Sequence, residues 1–322
     1  MNYRKLGKTG LEVSEIGYGA WGLGGRQWLG GNDEDSIVAL KRSIELGLNF
    51  IDTALAYNEG HSETLVGKAV RESGAKVYVA TKIPPKNRIW PAAPDADIQE
   101  VFPVDYVIES TETSLRNLGI DTIDLQQLHV WSASWIHRDE WRVAFEKLKT
   151  SGKVRNIGIS INAHQPDTAL DVIKTGLVDA VQVIYNIFDP TPQKNLFPLC
   201  LEYNVGVLAR VPLDEGSLTG TITGATQFEP TEFRAMYFKG DRKKQVEERV
   251  AALQKDLGET NEPLAETALR FCLSHTAVST VIPGMRKLSN VENNMAVSAR
   301  GPLPQSVLDI LARHAWDKNF YN

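Results

Sequence analysis

The sequence predicts an α/β protein: a (β/α)8 TIM barrel with an N-terminal β-hairpin and long βα loops. Three observations carry this. Eight apolar, often β-branched runs recur along the 322 residues. Several are nearly continuous in apolar character, as in strands covered on both faces. Helical patterns separate them, so successive strands run parallel, and eight such units close a barrel. An open doubly wound sheet is the alternative architecture.

The elements follow in order. Residues 1–14 hold a Gly7-Lys8-Thr9-Gly10 turn between two short strand-like pieces. This reads as a hairpin that could plug the barrel bottom. The strand runs are 14–21, 50–54, 77–83, 123–129, 154–160, 180–185, 206–211 and 278–284. The cluster Asp33–Ser36 caps a first helix that Gly47 closes. Later helices cover 61–73, 105–118, 138–151, 166–176, 193–204, 263–274 and 288–299. Asp241-Arg242-Lys243-Lys244, ahead of Glu247 and Glu248, reads as a solvated helix start. Residues 84–104 carry five prolines and residues 214–241 are rich in Gly and Thr, so both read as loop. They follow the third and seventh strands, on the side where a barrel keeps its active site. No repeat or low-complexity linker divides the chain, and residues 1–322 are expected to form a single domain.

Composition excludes several classes. Hydrophobic residues make up 42%, enough for a core, and the net charge of −5 favours neither nucleic acid nor an anionic membrane. No apolar run approaches a membrane span, and the N-terminus has no signal-like stretch. The two cysteines, Cys200 and Cys272, lie in apolar helical patterns and suit buried thiols in a reducing compartment. The cytoplasm is the expected location. Gly17-Tyr18-Gly19-Ala20-Trp21-Gly22 matches the GxGxxG pattern, but no helix signal follows before Asp33. It reads as a glycine-rich loop rather than a dinucleotide fingerprint. His61 and Glu63 are two isolated ligand types, and no metal is expected.

Chemistry gathers at strand ends. Asp52, Lys82 and His129 end the second, third and fourth strand runs, and Tyr57 follows Asp52 closely. In a barrel those ends converge. A free phenol has a pKa near ~10, too high for an efficient acid at neutral pH, and a nearby ammonium lowers it. A buried lysine needs a counter-ion, which Asp52 supplies. Tyr57 is therefore the expected acid, Lys82 its tuner, Asp52 the lysine's partner and His129 a neutral donor that orients a carbonyl oxygen. Gly284-Met285-Arg286 leads into a helix and suits a phosphate, with helix amides and the Arg286 fork as donors.

Asp52 and Tyr57 in DTALAY, Lys82 in ATKI and His129 in LQQLH resemble the catalytic tetrad of the aldo-keto reductase family. LGKTGLEVSEIGYGAWGLGG (6–25) resembles that family's opening, and the likeness runs from about residue 3 to about 300. The resemblance implies a (β/α)8 barrel, reversible carbonyl reduction, and NADPH as cofactor with NADH as the alternative. It implies that Tyr57 is the acid, that Lys82 and Asp52 tune it, and that His129 orients the substrate. It places Ser160 and Gln182 on the nicotinamide carboxamide, with Asn162 as candidate for the amide that Ile161 lacks. Arg210, followed by Pro212 and Leu213, stands where relatives stack an aromatic on the nicotinamide; its planar guanidinium can stack instead. Gly216, Ser217, Leu218 and Gly220 resemble the loop over the pyrophosphate. Gly284, Met285, Arg286, Asn290, Asn293 and Asn294 resemble the adenosine 2′-phosphate and adenine pocket. Trp21, Trp90 and Trp131 are expected to wall the substrate pocket.

The function expected is NADPH-dependent reduction of an aldehyde or ketone. A Schiff-base aldolase using Lys82 and a non-enzymatic nicotinamide-binding redox sensor or channel-associated subunit are the alternatives. The expected partner is a small carbonyl compound, with no nucleic acid and no membrane, and the chain is expected as a monomer or weak homo-oligomer.

Overall fold

The structure, a computed structural model, describes residues 1–25, 28, 31–260 and 262–321. Strands β1 (Tyr3–Lys5) and β2 (Glu12–Ser14) pair antiparallel as the expected hairpin. Then come β3 (Tyr18–Gly19), β4 (Phe50–Asp52), β5 (Tyr78–Ile83), β6 (Ile123–Leu128), β7 (Val154–Ser160), β8 (Ala180–Ile184), β9 (Gly206–Arg210) and β10 (Val278–Val281). These eight lie side by side in chain order, every pair parallel.

The first and last strands meet. Gly17 N donates to Val281 O at 2.8 Å, Val281 N to Glu15 O at 2.9 Å and Gly19 N to Pro283 O at 3.0 Å. The regular part of β3 is much shorter than the 14–21 run, because this closing seam is built from single bridges. Glycine makes the seam possible. A Cβ on Gly19 would lie 2.6 Å from Ile282 O, and one on Gly17 would lie 2.9 Å from Thr280 Oγ1. Gly17 and Gly19 of the GxGxxG pattern thus serve close strand approach, while Gly22 faces the Arg286 side chain. Among the described residues no helix lies between Gly22 and Asp33; Arg26, Gln27, Leu29 and Gly30 lie outside the described residues.

The helices are α1 (Asp33–Glu45), α2 (His61–Ser73), α3 (Ile98–Val101), α4 (Val104–Leu118), α5 (Glu140–Thr150), α6 (Leu170–Lys174), α7 (Leu196–Glu202), α8 (Phe233–Tyr237), α9 (Arg242–Leu257), α10 (Leu264–Ser274), α11 (Leu288–Ala296) and α12 (Gln305–Ala312). The Asn32 side chain caps α1 by accepting from Asp35 N. Three differences from the sequence reading stand out. Short helices α3 and α8 interrupt the two segments read as loop. The helix start at Asp241 extends into α9, whose Val246, Val250 and Leu253 form a buried stripe on an otherwise charged helix. Helix α12 follows the last barrel unit, where the eightfold pattern gives no cue. Among the described residues no helix is long and apolar enough to cross a membrane. Both cysteines are buried, and burial pushes the Cys200 thiol up to about 12.

The barrel interior is layered. Phe50, Ala80, Leu125, Ala180, Leu208 and Ile282 form an apolar layer, and the hairpin's Leu6, Leu11 and Val13 pack against it. Leu6 is fully buried. The hairpin turn also bonds the foot of the barrel, with Lys8 N donating to Asn204 O at 2.7 Å. Leu6→Ala should therefore cost about 2–5 kcal/mol, the range for emptying a packed core site. Urea unfolding with the m-value held constant would measure it. A midpoint equal to wild type would show that the hairpin does not plug the barrel.

Candidate active site

Barrel parity places the polar residues. On β4, β5, β6 and β8, Asp52, Lys82, Gln127 and Gln182 turn into the lumen, one layer above the apolar one. Lys82 is 0% exposed and Asp52 2%. The three protons of Lys82 Nζ all have acceptors: Asp52 Oδ2 at 2.6 Å, Thr53 O at 2.8 Å and Tyr57 Oη at 3.2 Å. Asp52 Oδ1 accepts from Gln182 Nε2 at 2.8 Å and Gln127 Nε2 at 3.2 Å. The ion pair is thus closed on both sides by hydrogen bonds, as a buried pair requires.

Tyr57 sits just past β4, in a turn where Asn58 and Glu59 take left-handed backbone angles. Its oxygen accepts from Lys82, so its own proton points away from the lysine. Its ring lies 5.6 Å from that of His129, edge to face, and stacks under Trp21 at 6.2 Å. Trp90, 45% exposed, meets His129 edge-on at 6.0 Å. His129 Nδ1 is buried with no partner among the described residues. The tetrad Asp52, Tyr57, Lys82 and His129 therefore converges.

Burial and charge set the protonation states. For Lys82, burial pulls the pKa down, but Asp52 and Tyr57 outweigh it and hold the ammonium above its ordinary value. Burial, with Lys82 and Arg210 adding to it, pushes His129 well below its ordinary range, so the imidazole is neutral at pH 7. Tyr57 corrects the sequence reading. Lys82 does pull its pKa down, but burial is larger and Asp52 adds to it, so the phenol is raised overall.

Among the residues expected to hold a cofactor, Ser160, Arg210, Gly216, Gly284 and Arg286 lie at the C-terminal ends of β7, β9 and β10 or in the loops after them. Arg210 donates to Ile161 O at 3.1 Å, and its Nε is buried without a partner among the described residues. Asn290 and Asn293 are exposed on α11, while Asn294 is buried. Arg286 is partly buried; it donates to Trp28 O at 2.7 Å. Burial and then the neighbouring Arg234 guanidinium lower its pKa, although Glu232 works the other way. Arg234 is itself paired with the buried Glu232, which leaves the Arg286 fork as the candidate for an anion.

Several expectations need correction. Trp131 is fully buried, donates to Thr168 O at 3.1 Å and packs edge-on against Trp135 and Trp141, so it walls no pocket. Parity alone would put it on the face of Gln127 and His129, but β6 ends at Leu128 and the chain beyond it carries Trp131 away to Trp135 and Trp141. Leu218 and Met285 are core residues whose side chains are also out of reach; only their backbone is available. Asn162 donates to Trp131 O at 3.0 Å and Gln165 Oε1 at 3.1 Å, which ties two loops together and leaves neither amide proton for a ligand. The Gln182 amide nitrogen donates to Asp52 Oδ1 at 2.8 Å, which commits that nitrogen to the ion pair. His61 and Glu63, read from the sequence as two isolated ligand types, have other partners: His61 pairs with Asp33, and Glu63 is buried on Thr81 and Asn117.

Sequence reasoning missed Gln127, Arg234 and Phe233. Gln127 was accessible, since two-residue parity puts it on the face of His129. Phe233 meets Trp21 at 4.7 Å and Trp28 at 6.4 Å across the barrel mouth, and nothing in the local sequence signals that.

Comparison with known proteins agrees with this geometry. The family model described as the aldo/keto reductase family matches residues 15–315. The chain is 31% identical to aldo-keto reductase YhdN of Bacillus subtilis (strain 168) over 302 residues, 91% of this chain and 87% of that protein. It is 28% identical to an NADH-specific methylglyoxal reductase of Escherichia coli (strain K12) over 303 residues, 90% of this chain and 91% of that one. The solved holo form of aldo-keto reductase AKR11C1 from Bacillus halodurans superimposes with a TM-score of 0.78 at 28% identity, covering 99% of this chain and 97% of the other. The chain therefore belongs to the aldo/keto reductase family of NAD(P)H-dependent oxidoreductases.

Proposed function

We propose that the protein reduces an aldehyde or ketone to an alcohol, with NADPH as hydride donor and Tyr57 as general acid. The observation that carries this reading is the Asp52–Lys82–Tyr57 relay beside a neutral His129. The nicotinamide cofactor, when bound, supplies the hydride. Ser160, Arg210, Gly216 and Arg286 would hold it, and the Arg286 guanidinium fits its phosphate charge. His129 donates to the carbonyl oxygen and fixes its direction. Tyr57 passes its proton to that oxygen. Lys82 holds the phenolate left behind by the hydrogen bond it already makes to Tyr57 Oη. Asp52, bonded by Gln127 and Gln182, keeps Lys82 charged. Trp21 and Trp90 flank the carbonyl with apolar surface. A single domain, a cytoplasmic location and a monomeric or weakly associating chain accompany this proposal.

The aldolase alternative is served less well. Nucleophilic attack needs a free amine, whereas Lys82 is held charged with all three protons bonded. Borohydride trapping with substrate tests this directly: an adduct on Lys82 would favour the aldolase. Absence of turnover across an aldehyde, ketone and sugar screen would favour a non-enzymatic role.

Three outcomes test the mechanism. Tyr57→Phe should lower the reduction rate by about 10²-fold or more, the scale of general-acid catalysis, with dinucleotide affinity kept. Turnover within a few-fold of wild type would reject Tyr57 as donor. Lys82→Met should lower the plateau rate and move the alkaline limb of the pH profile upward, because Lys82 pulls the Tyr57 pKa down. An unchanged profile would remove Lys82 from the mechanism. Arg286→Ala should weaken NADPH by about 1.5–3 kcal/mol and leave NADH nearly unchanged if Arg286 binds the 2′-phosphate. Fluorescence titration of both dinucleotides decides; equal losses would mean that Arg286 supports the Trp28 loop only.

A further inference from the structure

The segment after β9 is strained and folded away from solvent. Val211, Asp214 and Glu215 have φ of 55°, 48° and 56°, and Gly216 has φ of 108°. A β-branched residue at positive φ persists only where its surroundings enforce it. The C-terminal tail after α12 supplies much of that enforcement. Lys318 is 4% exposed and donates to Asp214 Oδ1 at 2.8 Å, with Asp214 3% exposed. Lys318 also donates to the Tyr237 hydroxyl at 2.9 Å, and that hydroxyl donates to Asp214 at 3.1 Å. Three residues on, the Tyr321 hydroxyl donates to Glu215 Oε1 at 2.8 Å. Its ring lies 5.8 Å from that of His164, which follows β7. The tail thus joins the start of the long excursion after β9, at Asp214 and Glu215, to its later helix α8, at Tyr237.

We propose that Lys318 and Tyr321 are positioning residues: the tail clasps the loop after β9 in the shape that presents the Gly216 backbone to the dinucleotide. This rests on the function proposed above for its ligand, but the clasp itself is a property of the chain. A buried ammonium facing a buried carboxylate is too costly to persist as decoration. It holds its geometry because each charge would otherwise be buried alone.

The clasp carries a pH dependence. Burial, opposed by Tyr321 and reinforced by Asp214, pushes Glu215 up to about 7. The charged or titrating groups around it are Asp214 on the same loop, Arg210 on β9, Lys318 and Tyr321 on the tail, Tyr237 on α8 and His164 beyond Tyr321. The closed arrangement favours the protonated acid. It is therefore strongest at acidic pH, weakens as pH climbs toward about 7, and levels off above that.

Hydrogen exchange and dinucleotide kinetics test this together. Tyr321→Phe removes one hydroxyl. The double variant Asp214→Asn with Lys318→Met removes both buried charges without leaving one alone. In each, amide exchange over 211–220 should speed by about tenfold or more, the scale of a lost charge-assisted hydrogen bond. NADPH and NADH should dissociate faster to the same degree, while single-turnover hydride transfer at saturating dinucleotide stays within about threefold. Lys318→Arg should restore slow exchange, and Glu215→Gln should flatten the pH dependence of dissociation. Unchanged exchange in Tyr321→Phe would overturn the proposal even if the double variant failed to fold. A wild type that binds neither dinucleotide would instead sink the proposed function, and exchange alone would then decide the clasp.

Discussion

One ammonium organises the barrel. Lys82 is fully buried, and an unpaired charge there would cost several kcal/mol, of order the whole stability margin of a domain. The barrel solves this with neighbouring parallel strands. Asp52 ends β4 beside β5, so its carboxylate reaches Nζ at 2.6 Å without a long flexible arm. Gln127 and Gln182, from β6 and β8, occupy its second oxygen. Donors from opposite walls can meet there only because the sheet has closed. The glycine seam between β3 and β10, and the hairpin below, are thus conditions for the ion pair as well as features of the fold.

The same charges act in opposite senses on two neighbours. Lys82 and Arg210 push His129 toward its neutral form and pull Tyr57 toward ionisation. For carbonyl reduction both effects are useful. A neutral imidazole can orient a carbonyl without competing as a proton source, and a phenol that gives up its proton leaves a phenolate already facing an ammonium. Burial raises the resting phenol, which keeps Tyr57 protonated until its proton is needed. Proton delivery therefore depends on a balance between desolvation and the charge of Lys82, with its hydrogen bond adding to the latter.

How far the sequence could be read depends on the range of the interactions involved. The strands and the tetrad were legible because nearly continuous apolar runs mark strands covered on both faces and the barrel rule assigns their ends. Asp52, Lys82 and His129 needed nothing more. Trp131 was misassigned because it lies past the end of β6, where parity alone had to be followed through a turn. Asn162 and Gln182 were read through the resemblance, while their bonds to Trp131 and Asp52 depend on chain segments up to 130 residues away. Helix α9 was signalled only by its charged start, since its apolar stripe is three residues wide. The effect of burial on Tyr57 could not be foreseen, because it depends on Trp21 and the surrounding walls rather than on Lys82 alone.

The mouth of the barrel is shaped by parts of the chain that carry no chemistry. Positive φ at Val211, Asp214 and Glu215 costs on the order of 1–3 kcal/mol at each position, which local turn bonds such as Asp214 N to Val211 O at 3.1 Å offset only in part. Asn186 bonds Val211 O at 2.9 Å from the loop after β8, and Lys318 bonds Asp214 from the far end of the chain. On the other side, Phe233 of α8 packs on Trp21, which itself covers Tyr57. Phe233 also meets Tyr237 of α8, so the excursion after β9 touches both the tail and the aromatic ring over the acid. Strain after β9 and the buried pair at the C-terminus are one unit, assembled from residues more than 100 positions apart.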